Sequence, residues 1–267
     1  MKKIDFHIHT IAVEKKDAPF NFDLSKFQEY ISNLSIDAIA ITNHNIFDLE
    51  QFKEISDSLK NVIVFPGIEI DLESGHILLI SDNNDLEDFK QKCDEISKLI
   101  VDETSSISLD DFKKTFTDLD KYILIPHDKK DPRMKDEALK QLSEHISAGE
   151  VASRKKFIYS LKETEDLVPV LFSDARISDK VVEFPVRQTF IDVDEVSFAS
   201  IKSCLQDKNK VSLSPACGHE FVEIFSNGQV ISTKLNVILG KSERYPFLKT
   251  TFLRYYHLEN NYGKTRI

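Results

Sequence analysis

Six residues able to ligate a metal ion stand at or just after the ends of short apolar runs. His7 and His9 lie in Ile4-Asp5-Phe6-His7-Ile8-His9, His44 follows Ala38-Ile39-Ala40-Ile41, and Glu69 follows Val62 to Ile68. His127 follows Tyr122-Ile123-Leu124-Ile125-Pro126, and Asp174 follows Val168 to Ser173. Two histidines two apart on a strand point to the same face, so His7 and His9 can grip one ion. Glu69, between Ile68 and Ile70, needs a partner, because burying an unpaired carboxylate is very unfavourable. A divalent ion, or two ions bridged by it, satisfies that need. His76 opens the run His76-Ile77-Leu78-Leu79-Ile80, where it either joins this cluster or sits at the rim of a hairpin. Taken singly, His44 and His127 fit better as capping or solvent-facing imidazoles than as ligands. Histidine and carboxylate sets of this kind accept zinc, manganese or iron.

Apolar runs of four to eight residues read as strands buried on both faces, and in barrels of such strands the chemistry sits at their C-terminal ends. Strands are predicted at about 3–8, 37–42, 62–68, 76–81, 122–126, 149–152, 168–173 and 187–192. Between them lie helical periods: 24–34, 49–59, 86–100, 109–119, 135–146 and 198–205. Leu24, Phe27, Ile31 and Leu34 are one such apolar stripe, and Leu49, Phe52, Ile55 and Leu59 another. Ser108 is the predicted cap of the fourth helix, with Asp110 and Asp111 in its first turn. Alternating strands and helices over residues 1–215 predict an α/β barrel with a polynuclear metal site at its mouth.

Near residue 215 the style changes. Phe221 to Thr233 alternates around Asn227-Gly228, a strong hairpin signal, and the run Leu235 to Leu239 precedes a predicted helix from about Thr250. Residues 216–267 are thus read as a separate antiparallel tail. Its hairpin edge and apolar run predict pairing with another chain, as a homodimer or with a partner protein. The 267 residues suit one barrel plus such an appendage. The formal charge of −10 removes any overall basic field for nucleic acid. Three scattered cysteines, Cys93, Cys204 and Cys217, with no secretory leader and no apolar stretch of membrane-spanning length, predict a cytoplasmic protein with reduced thiols.

Five segments together resemble the PHP family, the polymerase and histidinol phosphatase barrels. Asp5-Phe6-His7-Ile8-His9-Thr10, Thr42-Asn43-His44-Asn45, Gly67-Ile68-Glu69-Ile70, Ile125-Pro126-His127-Asp128 and Phe172-Ser173-Asp174-Ala175-Arg176 are similar to its motifs, in the same order. The resemblance covers about residues 1–195. It implies a distorted (β/α)7 TIM-like barrel, two or three divalent metal ions (manganese, zinc or iron) and hydrolysis of phosphate esters. It further implies a first ion on His7, His9, Glu69 and Asp174, a second on Glu69, His76 and His127, and a third beside His44. Arg176 departs from the family's Asp-x-His ending, and a guanidinium cannot ligate metal. Asn43 stands where the family has Asp, and Asp17 and Glu14 are both imperfectly spaced for the acidic residue that follows the first pair. A two-ion site is therefore the expectation. Catalysis is assigned to Glu69, His127 and Arg176, and phosphate binding to Arg154, Arg176 and Lys129, with Lys130, Lys155 and Lys156 also near the predicted mouth.

Residues 187–207 resemble the closing segment of PHP phosphoesterases fused to ABC or SMC-like ATPases, which implies an ATPase partner and a nucleic-acid substrate. The P-loop pattern fails, however. Gly240-Lys241-Ser242 has Leu235 in place of the first glycine, Gly263-Lys264-Thr265 has Leu258, and Lys249-Thr250 follows Leu248. Two functions remain open: a phosphatase or nuclease acting on a phosphorylated substrate, and a weakened domain serving as a scaffold for an ATPase.

Overall fold

Strands and helices alternate in a computed structural model that describes residues 1–214 apart from residues 15, 103, 104 and 164. The predicted tail hairpin, the run 235–239, the helix from 250 and Cys217 lie outside the described residues. The strands are β1 (Lys2–Asp5), β2 (Ile8–His9), β3 (Ala38–Ile41), β4 (Ile63–Leu72), β5 (Gly75–Ile80), β6 (Ile123–Lys129), β7 (Gly149–Val151), β8 (Pro169–Val170), β9 (Ala175–Arg176), β10 (Thr189–Ile191) and β11 (Val211–Ser212). The helices are α1 (Leu24–Leu34), α2 (Leu49–Ser58), α3 (Leu86–Leu99), α4 (Leu109–Thr115), α5 (Asp136–Leu142), α6 (Arg154–Lys162) and α7 (Phe198–Cys204). Most start on a capping side chain: Asp23, Asp48, Ser108, Ser153 and Ser197 each accept from a backbone amide three residues on.

Nine strands form one sheet in the order β11-β10-β1-β3-β4-β5-β6-β7-β8. The protein is mixed α/β, and the sheet is a nearly closed, distorted barrel. It is less parallel than a run of βα units predicts. A tight turn joins β4 to β5, so both β4–β5 and β5–β6 are antiparallel, as is β1–β10. Where β8 leaves the ladder, side chains take over the seam. Leu171 N donates to Thr189 Oγ1 and Ser173 N to Asp5 Oδ1, after which β9 runs parallel to β2.

Side chains alternate between two cores. Ala38, Ala40, Phe65, Leu78, Ile80, Ile123 and Ile125 belong to the cluster inside the barrel, while Ile39, Ile41, Val64, Ile77, Leu79 and Leu124 pack outward against α1 to α5. The first strand breaks this rhythm to functional effect. Ile4 and Phe6 join the inner cluster but Ile8 joins the outer one, so the phase flips between β1 and β2. An unbroken strand over 3–8 would have sent His7 outward with Asp5, since a one-residue slip exchanges the faces of a strand.

Two helices stop well short of their predicted extent, and a third was not predicted. α4 ends at Thr115, four residues short, where Phe116 leaves the helical region at ψ 76° and aromatic and β-branched neighbours favour its end. α5 stops at Leu142 because Ile146 is taken into a parallel bridge with Leu124. α6 was not signalled by apolar period, since it buries only Phe157 and Ser160.

Candidate metal centre

Register places the donors. His76 lies directly across the β4–β5 hairpin from Asp71, and Glu69 is two residues back on the same face. His44 bridges to Glu69, His127 pairs with Glu150, and His9 pairs with Arg176. Side chains from distant parts of the chain thus converge at one end of the barrel. Asp174 is brought in by a left-handed backbone at φ 54°, a conformation Asp tolerates better than most residues and one that marks strained functional sites.

The spacing is that of ligand atoms around an ion. His7 Nε2 lies 3.0 Å from His9 Nε2, 3.1 Å from Glu69 Oε2 and 3.4 Å from Asp174 Oδ1. His9 Nε2 lies 3.3 Å from Glu69 Oε2 and 3.2 Å from Asp174 Oδ1. Ligands about 2.1 Å from a tetrahedral ion sit roughly 3.4 Å apart, so these five separations fit one shared cation. The other oxygen of Glu69 faces a second set, His76 Nδ1 at 2.9 Å and His127 Nε2 at 3.4 Å. Glu69 Oε2 also meets His44 Nδ1 at 3.2 Å. Buried nitrogens without hydrogen-bond partners among the described residues, His9 Nδ1 and both nitrogens of His127, point the same way. The donor set therefore fits divalent ions bound by nitrogen and carboxylate oxygen.

Glu150 orients this set. Its Oε2 lies 2.8 Å from His7 Nδ1, with Lys130 Nζ 2.9 Å from the same nitrogen, so Nε2 is the His7 atom that faces Glu69 and His9. Burial works against a charge on His7, but Glu150 and, less strongly, Glu69 and Asp174 outweigh it and raise its pKa to about 10. Burial likewise opposes ionisation of Glu69, and His7, His76 and His44 reverse it, holding the carboxyl well below its ordinary range. Asp71 is drawn down to about 2 against its burial by His44 and His76. Burial instead holds His9 and His127 toward the neutral form, while the neighbouring carboxylates draw His44, like His7, toward the charged one.

Among the described residues three basic side chains ring the cluster. Lys130 Nζ lies 2.8 Å from Glu150 Oε1 and 3.0 Å from Asp174 Oδ2, and Lys16 Nζ 2.7 Å from Asp71 Oδ2. Arg176 binds Asp17 through Nε and Asp174 Oδ1 through Nη1 at 2.6 Å.

Of the residues singled out from sequence, His7, His9, His44, Glu69, His76, His127, Asp174 and Arg176 come together here. Lys129 turns away, to Ser160 and Asp166, and Arg154 is exposed at the first turn of α6. His145 pairs with Asp120 outside the cluster. Sequence reasoning missed Glu150 and Asp71, both 1% exposed. Asp71 carries a readable signal, since it follows Glu69 by two on one strand, the same relation that marked His7 and His9. Among the described residues Cys93 and Cys204 are buried free thiols, and no helix is long and apolar enough to cross a membrane.

No family model and no curated protein matches the sequence. Solved structures do. One is PsfC from Pseudomonas syringae PB-5123, at 18% identity and a TM-score of 0.51, covering 88% of this chain and 98% of that one. Another is a two-domain protein from Bacteroides vulgatus ATCC 8482 that contains a predicted PHP-like metal-dependent phosphoesterase, at 16% identity and a TM-score of 0.49. It is matched over 79% of this chain, which spans 63% of its length. At these identities the likeness is one of fold.

Proposed function

We propose that this protein is a metal-dependent phosphoesterase of the PHP family, with divalent ions held by His7, His9, Glu69 and Asp174 on one side and Glu69, His76 and His127 on the other. The observation that carries this reading is Glu69, 1% exposed, whose two oxygens face two different sets of imidazole nitrogens. A buried carboxylate placed so is suited to bridge. Support also comes from the five motifs in family order and from the barrel-like fold.

Divalent ions bound here would supply a hydroxide from bound water near neutral pH and neutralise charge on the phosphoryl oxygens. The chain's own residues do the rest. Glu150 orients His7, and Asp174 closes the first set. Glu69, His76, His127 and Asp174 line a cavity of about 320 Å³ together with Lys16 and Lys130, whose ammonium groups are placed to meet phosphate oxygens. Manganese, zinc and iron all suit these ligands.

The experiment is release of inorganic phosphate from an aryl phosphate ester, followed by a panel of phosphorylated metabolites, DNA and RNA, with manganese or zinc added. Hydrolysis of one of these that chelation abolishes and Glu69→Gln eliminates supports the reading. Activity that persists in Glu69→Gln, or a panel wholly inert with ions bound, contradicts it.

A further inference from the structure

Among the described residues, five overlapping groups of three donors could each hold an ion: His7-His9-Glu69, Glu69-His76-His127, His7-His127-Glu150, His44-Asp71-His76 and His9-Asp17-His44. They are not equivalent, because the chain has placed cations on some of them. Glu150 carries Lys130 on Oε1 at 2.8 Å while Oε2 faces His7 Nδ1. Asp71 carries Lys16 on Oδ2 at 2.7 Å, where Asn45 Nδ2 also donates at 2.9 Å. Asp17 is used completely, with Arg176 on Oδ1 and the Val13 amide on Oδ2 at 3.0 Å. The two remaining groups share Glu69. Among the described residues its oxygens have five imidazole contacts and no lysine or arginine partner within ion-pair distance.

We propose that Lys16, Lys130 and Arg176 are resident cations standing in for further divalent ions, so that the centre takes two ions, both on Glu69, and no third. This rests on the metal-binding reading above. Lys130 on Glu150, Lys16 on Asp71 and Arg176 on Asp17 each neutralise the carboxylate that a further ion would need. Lys130 and Arg176 also reach Asp174, so the first ion rests chiefly on His7, His9 and Glu69. Arg176 is the firmest of the three, since a guanidinium keeps its charge at every accessible pH and its fork is fixed by two carboxylates. Lys130 is wedged between two carboxylates, Glu150 Oε1 at 2.8 Å and Asp174 Oδ2 at 3.0 Å.

The test is metal stoichiometry, read by equilibrium dialysis of the full chain against manganese with elemental analysis. Wild type should saturate close to two ions per chain. Arg176→His replaces the guanidinium with a ligand beside Asp17 and His44, and Lys16→Met frees Asp71 opposite His44 and His76. Either variant, confirmed folded by circular dichroism, should saturate close to three. Lys16 is a peripheral side chain, so Lys16→Met carries the test if Arg176→His does not fold. Three ions on wild type, or two on both variants, overturns this inference and leaves the metal-binding reading intact. No ion on wild type removes both.

Discussion

Glu150 shows how much of the centre depends on a residue that ligates through another. It holds His7 by Nδ1, contacts His127 Nε2 at 3.2 Å and anchors Lys130, all while 1% exposed. Partners of this kind govern affinity more than composition, and losing one costs about 10- to 100-fold in metal binding. Glu150→Gln should therefore bind manganese about 10- to 100-fold more weakly with the ion number unchanged, as a calorimetric titration would reveal; unaltered affinity would show that His7 needs no such orientation. The donors were legible from sequence where an apolar run ended on them, as at Glu69 and His127. Glu150 was not, because it falls inside the predicted strand 149–152 and no apolar run ends on it. Lys16 and Asp17 sit in an irregular segment between β2 and α1, where no periodicity fixes which way a side chain faces.

At the scale of elements, the β4–β5 hairpin matters most, since it presents Glu69, Asp71 and His76 together. Its turn depends on Gly75, at φ 124°, where an added Cβ would stand 2.5 Å from Arg133 O and from Met134 Cα. Gly75→Ala should cost about 1–3 kcal/mol for the backbone conformation alone, more once the crowding is counted, and shift the urea midpoint downward. A midpoint equal to wild type would mean that the turn can rearrange freely. Apart from α6, helix positions were readable to within a few residues from apolar spacing and caps, α1 among them. What spacing could not convey was strand direction at β5 and the phase break between β1 and β2. Both depend on which neighbour a strand finds, and the second is what turns His7 and His9 into the barrel.

For the whole molecule, the ions would join segments that are far apart in sequence: β2, β4, β5, β6 and the turn before β9. Ligands that bind only the folded state stabilise it by mass action, by about 2.7 kcal/mol at a hundredfold excess over Kd. For a domain of this size that corresponds to a rise in Tm of roughly 5–10 °C when manganese or zinc is added to chelated protein. A melting curve indifferent to both chelator and metal would disagree with this. Every proposed donor lies between His7 and Arg176, so a chain ending near Pro215 should retain its ions and its hydrolysis, and the segment after it should bear on association instead. Light scattering and metal analysis of the two lengths would decide, with loss of metal at unchanged oligomeric state placing that segment in the active site.

The central claim is that one carboxylate holds two ions. Anomalous diffraction at the zinc edge, from crystals saturated with zinc, tests it most directly. The account predicts two strong peaks, each about 2.0–2.2 Å from a different oxygen of Glu69, one beside His7 and His9 and the other beside His76 and His127. Crystals with no peak within ligand distance of Glu69, or with a single ion bound elsewhere, would contradict it.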